Sequence, residues 1–230
     1  MFENSGEFMQ EKKYEIVGRP IIENLNGRQI ETYRIRALKD FTNKSTGIKV
    51  KRGEFGGRIS LNALSQDGTC WIDEDSVFVS DDQGIKITGD TYVCHSEIKG
   101  NILLGDMAVV SWSKLENAKD LYMEIKEQAR VVDSEVFGNA KIAGSAQLGK
   151  CFVSGQVIID GQSFLESCVV RNISFDKEKF ITIRLFGREQ KDYTLLDKKI
   201  IDEDFIVNDV DAKKSKKDNP PKLKGFVRIK

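Results

Sequence analysis

From residue 105 to residue 181 the chain repeats itself every 11 residues. The blocks read GDMAVVSWSKL, ENAKDLYMEIK, EQARVVDSEVF, GNAKIAGSAQL, GKCFVSGQVII, DGQSFLESCVV and RNISFDKEKFI. Their fifth place holds Val109, Asp120, Val131, Ile142, Val153, Phe164 and Phe175, and their eleventh holds Leu115, Lys126, Phe137, Leu148, Ile159, Val170 and Ile181. Two more blocks, QGIKITGDTYV and CHSEIKGNILL, carry the register back to Gln83. A repeat this short cannot bury an apolar row by itself, so its turns must stack into a solenoid.

Each block divides into halves that resemble one another, as in Gly138-Asn-Ala140-Lys-Ile142 and Ala143-Gly-Ser-Ala146-Gln-Leu148. Small and aliphatic residues alternate toward one side of each half, the period of a half-buried strand. The fold class expected is therefore all-β, a single-stranded parallel β-helix with β-rich N- and C-terminal caps. Two, three or four such units could close a coil. The Gly-x-Ala-x-Ile style is that of hexapeptide-repeat prisms and favours three sides and a left-handed coil. The 11-residue register further predicts that Val131, Ile142, Val153 and Phe164 form one buried column. One stretch competes with this reading. SKLENAKDLYMEIKEQ opens with a capping box from Ser113 to Glu116 and has apolar residues at helical spacing, so alone it reads as an amphipathic helix. The repeat register through Ala118 and Ala129 favours another coil.

Ahead of the repeats, residues 14 to 38 read as a hairpin around Asn26-Gly27, the pair best suited to a type I′ turn. An open solenoid end exposes strand edges and core, so a cap is expected there. The expected organisation is a β-hairpin capping region at 1–66, the solenoid at 67–175, a C-terminal cap at 176–211 and a basic tail at 212–230. In that tail Lys213, Lys214, Lys216, Lys217, Lys222, Lys224, Arg228 and Lys230 face a single acid, Asp218, leaving +7. The whole chain carries 36 basic and 36 acidic residues, so no global field directs it to nucleic acid or membrane. MFENSGEFMQEKK has neither an apolar core nor a cleavage site, so no secretory signal is read in it and a cytoplasmic location is expected. Cys70, Cys94, Cys151 and Cys168 form no CxxC pair, and buried reduced thiols are the reading.

The segment YRIRALKDF, GEFGGRIS and LSQDGTCWI resembles the N-terminal part of YdcK-like bacterial and phage-borne proteins. The likeness rests on Phe41, Gly53, Gly56, Gly57, Leu64, Ser65, Gln66, Gly68, Cys70 and Trp71, and covers about 40 residues. It implies a β-helix with hexapeptide-like repeats, carried by a phage or mobile element, of a kind often labelled transferase on fold alone. The runs TGDTYV and KGNILLGDMAVV are also similar, more loosely, to bactofilin-type polymer-forming β-helices.

The resemblance to hexapeptide-repeat acyltransferases implies that His95, the only histidine, could serve as a general base, with acetyl-CoA as donor. No partner to orient it can be named from sequence, and no coenzyme A motif is visible. Gly53-Glu-Phe-Gly56-Gly57 precedes a strand rather than a helix and reads as a turn, not a phosphate cradle. Asp73-Glu-Asp75, Asp81-Asp82 and Asp202-Glu-Asp204 lack the periodicity of calcium-binding rolls, so no metal site is expected. Lys213, Lys214, Lys216, Lys217, Lys222 and Lys224 could contact nucleic-acid phosphates, although Phe226 is the tail's one aromatic and a solubilising tail is favoured. The expected function is a non-enzymatic scaffold that holds a protein partner through its solenoid faces, with no cofactor. The alternatives are an acyltransferase acting through His95 and a self-assembling oligomer or filament.

Overall fold

The computed structural model describes residues 11–161 except 82, 83, 85 and 119, and beyond them the strands between 164 and 207 with the side chain of Leu165. Among the described residues there is no helix, and so none long and apolar enough to cross a membrane. The chain forms a parallel β-solenoid whose coils have three sides. The first side stacks Phe55–Ser60, Val77–Val79, Glu97–Lys99, Lys114–Glu116, the start of Glu135–Ile142, the start of Phe152–Asp160 and Val169–Arg171. The second stacks Ile102–Leu104, Met123–Ile125 and the later halves of the two long strands. The third runs Trp71–Ile72, Tyr92–Cys94, Val109–Ser111, Arg130–Val132, Gln147–Gly149 and Phe164–Glu166.

The register corrects the expected column. Val131, Ile142 and Val153 are all fully buried, but they lie on three different sides. Val131 stacks between Val110 and Leu148, Ile142 between Ile125 and Ile159, and Val153 on Val136. Phe164 pairs with Gln147 on the third side, and its side chain lies outside the described residues. The basic coil is 17 residues, as between the hydrogen-bonded Ser96 and Ser113, and not 11. Three unequal sides of five or six residues make such a coil. A step of 11 therefore covers two sides, and returns an apolar side chain to the core on the second face round.

Two coils are longer. Ser113 and Ser134 are 21 residues apart because the chain swings outward at Ala118 and Tyr122, at the corner between the first and second sides. This is the stretch that imitates a helix. Leu115, Met123 and Ile125 point into the core, whereas Ala118 and Tyr122 are exposed. Asn117 holds the loop at its root. Its side-chain amide donates to the Asn101 and Leu121 carbonyls at 2.9 and 3.2 Å, and its oxygen accepts from the Asn101 N–H at 2.8 Å.

Three corners turn the coil, and most of their turns use a left-handed residue. Gly100, Gly138 and Gly155 serve the first-to-second corner, and Gly68, Gly89, Asp106, Glu127, Gly144 and Gly161 the second-to-third. The third-to-first corner uses His95, Trp112, Asp133 and Lys150, with no glycine among them. Each is followed by a buried Ser96, Ser113, Ser134 or Cys151. The serine hydroxyl donates to its own coil, as from Ser113 to the Ser111 carbonyl at 2.7 Å, and accepts the N–H of its counterpart one coil on at 3.0–3.1 Å. Replacing Ser113 with Ala would orphan the buried Ser134 N–H, so a loss of about 1–3 kcal/mol is expected in urea unfolding. A loss below the noise of that measurement would show that the ladder is dispensable.

Ahead of the coils, β1 (Tyr14–Leu25) and β2 (Arg28–Ala37) pair antiparallel about Asn26-Gly27, both at positive φ as the turn requires. A small hairpin, β3 (Phe41–Thr42) with β4 (Lys49–Val50), lies over the third side, where the Asn43 amide donates to the carbonyls of Thr69 and Asp90, both at 2.8 Å. Next, β5 (Phe55–Ser60) pairs antiparallel with β2 and parallel with Val77–Val79, so the N-terminal sheet continues into the first side. Beyond residue 175, Ile183–Phe186 and Phe205–Val207 pair in parallel upon the second side.

Candidate functional site

The third-to-first corner is where this chain departs from what packing alone asks. A left-handed residue with a β-carbon costs roughly 1–2 kcal/mol relative to ordinary backbone. Glycine would remove that cost, as it does at most turns of the other two corners, Asp106 and Glu127 excepted. Here the chain keeps an imidazole, an indole, a carboxylate and an ammonium in consecutive coils instead. Strain kept without a packing reason is a pointer to a used surface.

Coil stacking then sets these side chains in a row along the outer edge of the prism. The rings of His95 and Trp112 are 4.0 Å apart and within 4° of parallel. Trp112 is 62% exposed, the most exposed of the large apolar side chains described. His95 Nε2 lies 3.6 Å from Asp75 Oδ2 one coil earlier, and Asp133 and Lys150 continue the row beyond Trp112. Val132, also exposed, lies just before Asp133 on the third side. The result is a raised aromatic step between two carboxylates. His95, read from sequence as a possible base, thus has a carboxylate near its ring edge, while one ring face is covered by indole. Trp112 went unnoticed in the sequence because it stands 17 residues from His95, a spacing the 11-residue register hides.

The other sequence candidates fall elsewhere. Lys213, Lys214, Lys216, Lys217, Lys222 and Lys224 lie outside the described residues, as does the side chain of Cys168. Among the described residues no group of three His, Cys, Asp or Glu side chains is placed to hold a metal. Cys70 and Cys151 are buried free thiols, and Cys94 is a partly exposed one. Cys151 replaces serine in the corner ladder, its thiol donating to the Leu165 carbonyl at 3.3 Å.

Gln66, Gly68 and Trp71 help hold the first coil together. Gln66 accepts from the N–H groups of Lys13 and Tyr14 at 2.8 and 3.2 Å and donates back to the Tyr14 carbonyl at 3.2 Å. Trp71 is fully buried, with Phe41 edge-on to it at 5.6 Å. A β-carbon on Gly68 would lie 2.2 Å from the Gly89 carbonyl oxygen of the next coil. Tyr14 donates to the Leu64 carbonyl at 2.6 Å, and its phenol is pushed up to about 12, first by burial and then by Cys70.

That shift sets an alkaline limit. The folded state holds the Tyr14 proton more tightly than the unfolded chain, so its contribution is complete below pH 10 and is lost as pH rises toward 12. Tyr92, raised by burial and by Asp73, acts in the same direction. The Tyr14 share reaches at most about 2–3 kcal/mol. Tyr14→Phe should therefore lose less stability between pH 9 and 11.5 than the parent in urea melts; equal losses would count against the assignment.

A concavity of about 420 Å³ lies on the N-terminal sheet where β1 bulges between Val17 and Ile21. Arg19, Arg34, Arg36 and Arg58 line it with Phe55 and Ile21. Three of these arginines are already paired, with Glu74, Glu15 and Glu23. Compared with known proteins, the chain matches no protein-family model and no curated relative.

Proposed function

We propose that this protein is a non-enzymatic β-solenoid scaffold that binds a macromolecular partner, with the His95–Trp112 edge as its contact. The observation that carries the reading is an indole 62% exposed, propped by a stacked imidazole on strained backbone that glycine would relax. Tryptophan dominates the energetics of protein interfaces because it buries a large rigid area at little entropic cost. Stacked coils fix its position against the rest of the surface, so little ordering is left for the moment of binding. The YdcK-like resemblance fits such a scaffold, and a phage or mobile-element origin, a cytoplasmic location and self-assembly belong to the same proposal.

The test is an affinity capture from the native host, comparing the parent chain with Trp112→Ala. Trp112 touches the core little, so the variant should melt within about 1 kcal/mol of the parent. Its captured partner should fall at least tenfold, since a central aromatic contact is worth about 2 kcal/mol or more. Equal capture by both proteins would refute this contact.

The proximity of Asp75 to His95 favours one second reading, an acyltransferase in which the carboxylate orients the imidazole as general base. Titration calorimetry with acetyl-CoA separates the two. Binding that His95→Ala leaves intact, with acyl transfer reduced about 10²- to 10⁴-fold, is the result the enzyme reading needs. No heat of binding is what the scaffold reading expects.

A further inference from the structure

Lys13 is 1% exposed and Cys70 is not exposed at all, and the Lys13 ammonium nitrogen lies 3.1 Å from the Cys70 sulfur. A lysine is almost never fully buried without a carboxylate beside it. Among the described residues Nζ also donates to the Asp67 carbonyl at 3.1 Å, and the Asp67 carboxylate is near enough to favour the charged amine. Parallel pairing explains the place. Cys70 precedes Trp71, which pairs with Tyr92, so Cys70 heads the inward column of small residues continued by Thr91 and Ala108. Lys13 thus inserts its amine at the N-terminal end of the stacked core, held by the Gln66 clamp on its backbone.

Burial acts on both groups in the direction of their neutral forms. It lowers the lysine below its ordinary range and raises the thiol above its own, in each case against the pull of the other group. The neutral amine with the neutral thiol is the form this favours. The amine nitrogen is held against sulfur at 3.1 Å, shielded from water and close enough for one oxygen atom to join the two.

We propose that Lys13 and Cys70 form a reversible covalent nitrogen–oxygen–sulfur bridge, closed by dioxygen, that ties the N-terminal strand to the first coil. The step balances as Lys–NH2 + HS–Cys + O2 giving Lys–NH–O–S–Cys + H2O. One N–H, the S–H and the O–O bonds break. N–O and O–S bonds form, and the two hydrogens leave with the second oxygen as water. Nitrogen and sulfur each give up two electrons, and dioxygen takes all four. Peroxide oxidation ordinarily begins at an exposed thiolate, which this sulfur is not. Dioxygen is small and apolar and reaches sites that exclude peroxide. Two equivalents of a dithiol reverse the reaction, returning amine, thiol and water.

The experiment is intact-mass spectrometry on the full chain, purified in air without reductant and then treated with dithiothreitol. The untreated protein should contain a fraction heavier by one oxygen and lighter by two hydrogens, and dithiothreitol should return it to the sequence mass. Peptide mapping should join the segment around Lys13 to the one around Cys70, with no tryptic cut after Lys13. Denatured thiol titration should lose one thiol per bridged chain, where a disulfide would lose two. Cys70→Ser and Lys13→Arg should each abolish the shifted species, and the mapping stands even where a variant fails to fold. No shift after prolonged aeration would overturn the proposal. So would a loss of two hydrogens alone, an added oxygen without loss of hydrogen, or a shift that survives in Cys70→Ser.

Discussion

Replacing Ile142 with Asp should unfold the middle of the solenoid, at a cost of about 4 kcal/mol or more. Ile142 has no exposed surface and stacks directly between Ile125 and Ile159 on the second side. The substitution removes most of an aliphatic side chain, worth about 2–4 kcal/mol in a packed core. It also leaves a carboxyl among apolar neighbours, where it must stay protonated or drag water inward. Because each coil contacts only its neighbours, the damage should centre on the coils carrying Met123–Ile125, Glu135–Ile142 and Phe152–Asp160. Hydrogen exchange would show amides there opening first, with β1 and β2 less affected. Lys141→Gln is the paired control, because Lys141 is exposed and should shift stability by less than about 0.5 kcal/mol. A Val131→Asp substitution should do similar harm from a different side, since the two residues share a core but not a column. If Ile142→Asp left the urea midpoint unchanged, the second side could not be packed as described.

The sequence exposes the architecture more readily than its register. Apolar residues recur wherever a strand faces inward, and a three-sided coil offers such a position every five or six residues. Any step that crosses a whole number of sides looks periodic. The step of 11 stands out because it crosses two sides, yet it scatters Val131, Ile142 and Val153 over three sides. The signal that fixes the coil is sparser. It lies in the buried residues after each left-handed corner, Ser96, Ser113, Ser134 and Cys151, whose spacings of 17 and 21 report both the coil and its insertion. Ser113 was visible in the sequence only as the start of a capping box. Its Glu116 partner instead lies in a strand, because Leu115 has a stacking position beside Ile98 and Val136 that an isolated helix would not supply.

The candidate site was half legible. His95 stands out as the only histidine, but its meaning depends on a stacked Trp112 and a neighbouring Asp75 that no local motif links. The pair of left-handed aromatics is equally hidden, since Cys-His-Ser and Ser-Trp-Ser look like ordinary strand ends until the corner geometry is known. The Lys13–Cys70 contact joins residues 57 positions apart through the clamp at Gln66. Lys13 closes MFENSGEFMQEKK, where no local pattern marks it for burial.

Gly57→Ala should cost about 3 kcal/mol, even though its φ is not in the left-handed region and alanine is the smallest possible addition. The reason is proximity. A β-carbon there would stand 2.4 Å from the Ser76 carbonyl oxygen and 2.6 Å from that of Asp73. Both obstacles are backbone, and the Ser76 carbonyl already accepts the Arg58 N–H at 3.0 Å, so neither can swing aside as a side chain would. The strand must separate from the turn, and with it goes the junction between β5 and Val77–Val79 where the N-terminal sheet meets the first side. Gly84, whose β-carbon would meet nothing within 4 Å, is the control, and Gly84→Ala should leave the melting temperature within a degree or two. The contrast separates two meanings of the Gly56-Gly57 motif. A binding motif would lose its ligand and keep its fold, whereas a packing motif would lose stability first. A Gly57→Ala chain that melts with the parent would reject the close approach of β5 to the 73–76 turn, and the packing explanation of the motif with it.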